Sequence, residues 1–210
     1  MFSETVQEML RAVASVLQTP TIVILLFIIA ETIIMLGSII AELFTERKRM
    51  KARIPTLVDQ IQGKTGEELL EVIDKSGLLK RQRQAIRELV TRELLPEKTR
   101  DAVARQLLFE EQTHYDKITK LTDVVARVAP MFGLLGTLIP LGPGLIALGQ
   151  GDTKTLSESL LIAFDTTIAG LISAAVAYVI SAVRKNWYEE YLVSLETIME
   201  SILEEQNKKG

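Results

Sequence analysis

Three threonines and one aspartate sit where the surrounding side chains are apolar. Thr137 lies in the run 124–148, and Asp165, Thr166 and Thr167 lie in the run 158–183. Each run is long enough to cross a bilayer, which takes about 20 apolar residues. A hydroxyl in such a place can hydrogen-bond a carboxylate or a passing ion. It can equally back-bond to its own helix or tie two helices together. Thr166 and Thr167 are adjacent, so at most one of them points fully into a pore. A carboxyl in such a place can take up and release a proton. Ionised near mid-span it costs about 2.5–3.5 kcal/mol on insertion scales, which a proton or a lining of water would relieve. Asp165 is thus either an ion-relay or selectivity carboxylate, or a group paired with a neighbouring subunit.

Small residues accompany these groups. Gly133, Gly136 and Gly144 lie in the first of the two runs, and Gly170, Ser173, Ala174, Ala177 and Ser181 in the second. Such faces permit close helix approach. A smooth small wall would also suit a pore or a partner helix that must rotate. Gly133, Gly136, Gly170, Ser173, Ala174 and Ala177 are the expected pore-lining small residues. A third apolar run, 20–44, holds a second carboxyl, Glu31, beside Ser38; its expected use is structural or in assembly. Glu158 is placed at the outer mouth, where it caps. Lipid does not reward such groups, so the pattern points to a transport or energy-coupling assembly.

The elements that must position these residues follow from charge and breakers. No Lys or Arg lies between Arg11 and Arg47, between Arg127 and Lys154, or between Lys154 and Arg184. The expected fold is all-α, an integral membrane protein with three transmembrane helices. Residues 1–19 place Val6, Met9, Leu10, Val13, Val16 and Leu17 on one face of an amphipathic helix, with Thr5 and Glu8 at capping-box spacing. This helix either lies in the membrane interface or packs on protein. The spans are 20–44, 124–148 and 158–183. Residues 45–123 form a charged helical subdomain with breaks at Pro55, Gly63–Gly66, Gly77 and Pro96. Its apolar positions are Leu69, Leu70, Val72 and Ile73, then Leu79, Ile86, Leu89, Val90 and Leu94. From Glu97 one long helix is expected to run into the second span. The outer end of that span carries Pro140, Gly142, Pro143 and Gly144 and is expected to be kinked or irregular. Residues 149–157 make a short external turn in which Asp152 or Thr155 caps the next helix, and 184–210 form a C-terminal helix. Eighteen of the 24 Lys and Arg fall in 45–127. Basic residues also flank the spans: Arg47, Lys48, Arg49 and Lys51 on one side, Lys117, Lys120 and Arg127 on the other. The positive-inside rule therefore puts the N-terminus outside and the subdomain and C-terminus in the cytoplasm.

Composition narrows the chemistry. The chain has no Cys and one His, His114, so neither a Cys-ligated metal site nor a His cluster is expected. No metal, no cofactor and no nucleophile–His–acid set is expected, and the protein is not expected to be an enzyme. Gly63-Lys64-Thr65 imitates the end of a phosphate loop, but Val58 stands where the motif needs Gly, so it reads as a turn. The basic charges of the subdomain are interleaved with Glu and Asp, so no nucleic acid is expected. The N-terminus lacks a short apolar run with a small-residue cleavage site and reads as leading into a retained first span.

The run Ala129-Pro130-Met131-Phe132-Gly133-Leu134-Leu135-Gly136-Thr137, followed by Thr167 three residues before Gly170-Leu171, resembles the MotA/TolQ/ExbB proton-channel family. The three-span layout with a large internal loop is similar to its ExbB/TolQ branch. The resemblance implies a pentameric ring in the cell membrane, with the second and third spans lining the pore and the first facing lipid. It also implies a small single-span partner similar to ExbD, TolR or MotB that brings a membrane Asp. Protons or Na⁺ would then drive movement of that partner against the ring. Val176 stands where the family has a Pro. Asp165-Thr166-Thr167 and the Pro140–Gly144 cluster also depart from the usual pattern and are similar to archaeal members. Two other functions fit the residues alone: an autonomous cation channel using Asp165, and a membrane scaffold anchoring the cytoplasmic subdomain.

Overall fold

The computed structural model describes residues 2–47, 54–64 and 66–209. Lys48, Arg49 and Lys51 of the orientation argument and Thr65 of the glycine turn lie outside the described residues. So do the side chains of Thr5, Val6, Glu8, Leu10 and Arg47. All described elements are helical: α1 (Phe2–Glu42), a π-turn (Leu43–Arg47), α2 (Ile54–Ile61), α3 (Gly66–Lys75), α4 (Lys80–Val90), α5 (Glu97–Gly149) and α6 (Thr153–Lys209). Three stretches are long and apolar enough to cross a membrane: Val16–Thr45, Glu97–Gly149 and Thr153–Lys208.

Proline interrupts less than its chemistry suggests. Pro20 lies inside α1, and Pro130, Pro140 and Pro143 lie inside α5. The expected separate helix at 1–19 and the expected irregular outer end at 140–144 are instead parts of continuous helices. Each proline removes one N–H and frees one carbonyl four residues back. Apolar helices tolerate that loss when packed neighbours or nearby hydroxyls compensate it.

The chain forms two compact units, Met1–Ser38 with Lys120–Ala182, and Ile39–Thr119 with Val183–Gly210. In the first unit α1 buries Thr21, Leu25, Ile28, Thr32 and Met35. Their spacing alternates four and three, which is a single narrow seam along one helix face. Both seam hydroxyls are satisfied within the helix: Thr21 Oγ1 donates to Leu17 O at 2.7 Å and Thr32 Oγ1 to Ile28 O at 2.7 Å. Outside the seam, Val23, Phe27, Ile33 and Ile34 stand exposed.

A three-residue turn reverses the chain between α5 and α6. Asp152 N–H donates to Ala147 O at 2.9 Å and Gly151 N–H to Leu148 O at 3.0 Å, with Gly151 at φ 79°. This is a Schellman ending, in which a left-handed residue satisfies the last carbonyls of a helix. The next residue starts α6. Asp152 Oδ1 accepts the Thr155 N–H at 3.1 Å and Oδ2 accepts the Thr155 hydroxyl at 2.5 Å. Asp152 is therefore the cap, and Thr155 is its ligand. Those two hydrogen bonds, the hydroxyl's first, hold the Asp152 carboxyl below the usual carboxylate range.

The second unit is a helical subdomain with its own core. Leu57 and Ile61 of α2, Leu69 and Ile73 of α3, and Ile86 and Leu89 of α4 pack with Leu195, Ile198 and Ile202 of α6. Spacings of three and four put each set on one face. Val90 joins this core, whereas Leu94 is fully exposed. Buried Gln82 ties α4 to α6: its amide N–H donates to Tyr191 O at 3.0 Å, and its carbonyl accepts the Leu79 N–H at 3.1 Å. Tyr115 and Tyr188 stack beside it with ring centroids 4.4 Å apart. A buried ion pair joins Arg184 Nε to Glu42 Oε2 at 3.1 Å.

The α5–α6 reversal depends on the left-handed backbone at Gly151. Gly151→Ala should destabilise the protein by about 1–2 kcal/mol, the cost of that conformation for an L side chain. Thermal unfolding of the detergent-extracted protein will read this as a lowered Tm, while Gln150→Ala, one residue earlier, should leave Tm within experimental spread.

Candidate functional site

The threonines flagged in the sequence meet in the first unit, where α5 and α6 pack antiparallel. Close packing of two helices needs small residues at the crossing, because a Cβ on either side would hold the backbones apart. A Cβ placed on Gly170 would lie 2.7 Å from Ala129 O and 2.9 Å from Gly133 Cα. One placed on Gly136 would lie 2.6 Å from Thr166 Cβ, and one on Gly133 would lie 3.3 Å from both Gly170 Cα and Thr166 O. Further along, a Cβ on Gly144 would lie 3.0 Å from Ser159 Cβ.

The two helices stay in step. Gly144 faces Ser159, Thr137 faces Thr167, Gly133 faces Gly170, and Ser181 Oγ donates to Asp123 Oδ1. As one partner moves down α5 the other moves up α6, without a slip at Pro130, Pro140 or Pro143. Pro140 is itself buried on this face.

At the middle of the contact the Thr137 and Thr167 hydroxyls touch each other. Two carbonyls stand beside them. Thr137 Oγ1 lies 3.1 Å from Gly133 O and 3.4 Å from Ala163 O, while Thr167 Oγ1 lies 3.0 Å from Ala163 O and 3.5 Å from Gly133 O. Each hydroxyl has one proton. Either Thr137 donates to Thr167 and Thr167 to Ala163 O, or the chain runs the other way and ends on Gly133 O. The pair is a short reversible hydrogen-bond chain in which one hydroxyl always has lone pairs to spare. Both residues are half-buried.

The other flagged residues take distinct places. Thr166 donates to Ile162 O at 2.9 Å and Ala163 O at 3.0 Å, so its hydroxyl serves its own helix while its body fills the space at Gly136. Asp165 is exposed in the single chain, beside exposed Phe164 and Ile168. Gly133, Gly136 and Gly170 are buried in the α5–α6 contact; Ser173, Ala174 and Ala177 are buried on α6. Glu31 is half-buried on α1, whereas Ser38 is exposed. Among the described residues, no group of three or more His, Asp or Glu could hold a metal ion.

Two contributors escaped the sequence reading. Ala163 acts through its backbone carbonyl, which no side-chain pattern reveals; the one hint is its position four residues before Thr167. Asp123 sits at the charged, subdomain end of a span, where an acid is unremarkable. Its pairing with Ser181 follows only once the antiparallel register is known.

Residues 74–197 match the model of the MotA/TolQ/ExbB proton channel family, and the matched stretch contains the α5–α6 contact from Asp123–Ser181 to Gly144–Ser159. No curated protein matches the chain.

The glycines differ in what a methyl would meet. Gly170→Ala puts a methyl against backbone atoms that cannot rotate away, so it should destabilise by about 1–3 kcal/mol, the usual cost of overpacking. A Cβ on Gly142 meets nothing within 4 Å, so Gly142→Ala should be neutral or slightly stabilising. Chemical or thermal unfolding in one detergent will rank the two; equal effects would contradict the close approach.

Proposed function

The chain belongs to the MotA/TolQ/ExbB proton channel family, and we propose that it is the ring-forming subunit of an ion-driven membrane motor. The family is one of multi-pass membrane channel proteins that work with partner proteins in membrane complexes, not a family of enzymes. The finer reading is that five copies surround a single-span partner similar to ExbD, TolR or MotB. Spans 124–148 and 158–183 face the partner, and span 20–44 faces lipid. The exposed apolar flank of α1 supports that last assignment. The N-terminus lies outside and the subdomain inside.

The observation that carries the proposal is the Thr137–Thr167 hydroxyl pair at the middle of the α5–α6 contact. An ionised partner carboxyl reaching this pair accepts a hydroxyl proton in place of Ala163 O or Gly133 O at the end of the chain, and once protonated it no longer draws that proton. An ion entering from outside protonates the partner Asp, the threonine pair stops holding it, and the partner moves. Release to the inner side resets the cycle. The driving force suffices, since one charge crossing the membrane gains about 2.3 kcal/mol per 100 mV. The ion is a proton in this reading, with Na⁺ the alternative. Asp165 favours a second reading. A carboxyl exposed beside Phe164 and Ile168 in an apolar span needs water or a partner, so Asp165 and Thr166 would line the ion's entry path, or an autonomous cation channel would conduct through Asp165.

Removing both hydroxyls tests the role. Thr137→Ala with Thr167→Val should leave assembly intact and abolish ion-driven work by the complex, and Thr137→Ser with Thr167→Ser should restore it. Normal work by the Ala/Val protein would refute the role of the pair.

A further inference from the structure

In the second unit, α5 and α6 enclose an open groove on a different face from the one that carries α4. The groove has two sections of about 450 Å³ and about 210 Å³ that share Leu108 and Glu196 and so run together. Its floor is apolar, with Leu108, Leu192, Met199 and Leu203. Its rim is acidic: Asp101, Asp116, Glu189, Glu196 and Glu200 stand against Arg105 and Lys185, a net charge of −3.

The face that carries α4 has the opposite sign. Gln82 and Arg81 reach α6 and α5 at Tyr191 O and Glu111. Glu111 and Tyr191 each stand one residue, about 100° of helix, before a groove residue, Gln112 and Leu192. Residues 80–93, α4 and the turn after it, carry Lys80, Arg81, Arg83, Arg87 and Arg92 against Glu88 and Glu93, a net charge of +3, of which Glu111 and Asp74, paired with Arg81 and Arg87, offset two. Lys80, Arg87 and Arg92 are exposed. The residue that follows this segment, Leu94, is fully exposed at 101 %.

We propose that the acidic groove of one subunit receives the basic α4 face and its Leu94 tip from a second copy of this chain. The two surfaces match in charge, and an exposed apolar tip matches an apolar floor. They lie on different faces of one unit, so the contact is head-to-tail, the kind that propagates and closes into a ring. The inference deepens the ring reading above and rests on it; it names the surfaces that hold neighbours together. Complementary charge at such a contact selects the partner and its register.

Charge reversal tests it in the full chain. Glu196→Lys with Glu200→Lys reverses the groove, and Lys80→Glu with Arg92→Glu reverses the basic face. Native mass spectrometry of detergent-extracted protein should show the wild-type multimer lost in each double variant and recovered when all four substitutions share one chain. Helix content by circular dichroism will show that each variant folds. Because the chain has no Cys, Lys80→Cys with Glu196→Cys supplies a second readout in membranes before extraction: an oxidised ladder of linked chains is expected, and none from Lys64→Cys with Glu196→Cys. A multimer that survives both reversals, or a multimer that gives no ladder, overturns the inference and leaves the motor reading standing. Recovered multimers that do no ion-driven work would keep this interface and refute the motor reading.

Discussion

The close approach of α5 and α6 is the constraint on which the membrane part of this protein depends. It exists because three side chains are missing. Gly133, Gly136 and Gly170 let backbone meet backbone, with Ala129 O 2.7 Å from where a Gly170 Cβ would stand. Lipid tails are as apolar as leucine, so burial in lipid gives helices little reason to associate; packing and hydrogen bonds must supply it. The glycine contact supplies the packing and brings Thr137 against Thr167. Without the glycines each threonine would merely back-bond to its own helix. With them the two hydroxyls and two carbonyls become one switchable group.

The same contact explains why proline and glycine are tolerated in a continuous helix. Both are poor helix formers in water, glycine by about 1 kcal/mol and proline by about 3 kcal/mol relative to alanine. In α5, Gly133, Gly136, Pro140 and Gly144 lie in line on the buried face, while Gly142 and Pro143 are exposed. The unbroken register from Asp123–Ser181 to Gly144–Ser159 shows that packing overrides propensity there. A Schellman ending at Gly151 and a cap at Asp152 then reverse the chain in three residues, which fixes the register from one end.

Much of this was legible in the sequence. Gaps in Lys and Arg marked the apolar runs, and threonine and glycine spacing marked the pair of helices that meet. Long helices leading into a charged subdomain followed from the lack of breakers after Glu97. The rest was hidden for physical reasons. Helix continuity through Pro20, Pro140 and Pro143 depends on tertiary support that a local reading does not contain. The choice of Asp152 over Thr155 as cap depends on where the left-handed residue falls. Leu94 fits the apolar periodicity of α4, yet the helix has ended by then and its side chain stands in the open. Backbone carbonyls such as Ala163 O leave no mark in a side-chain pattern.

The central claim is that the threonine pair serves a carboxyl brought by a partner, so ion flow requires both proteins. Proton uptake into liposomes under an imposed membrane potential measures this directly, with the ring reconstituted alone and with its co-expressed single-span partner. The account predicts flux only when the partner is present, and loss of that flux when the partner's membrane Asp is changed to Asn. Equal flux from the ring alone would contradict it and make this chain an autonomous channel.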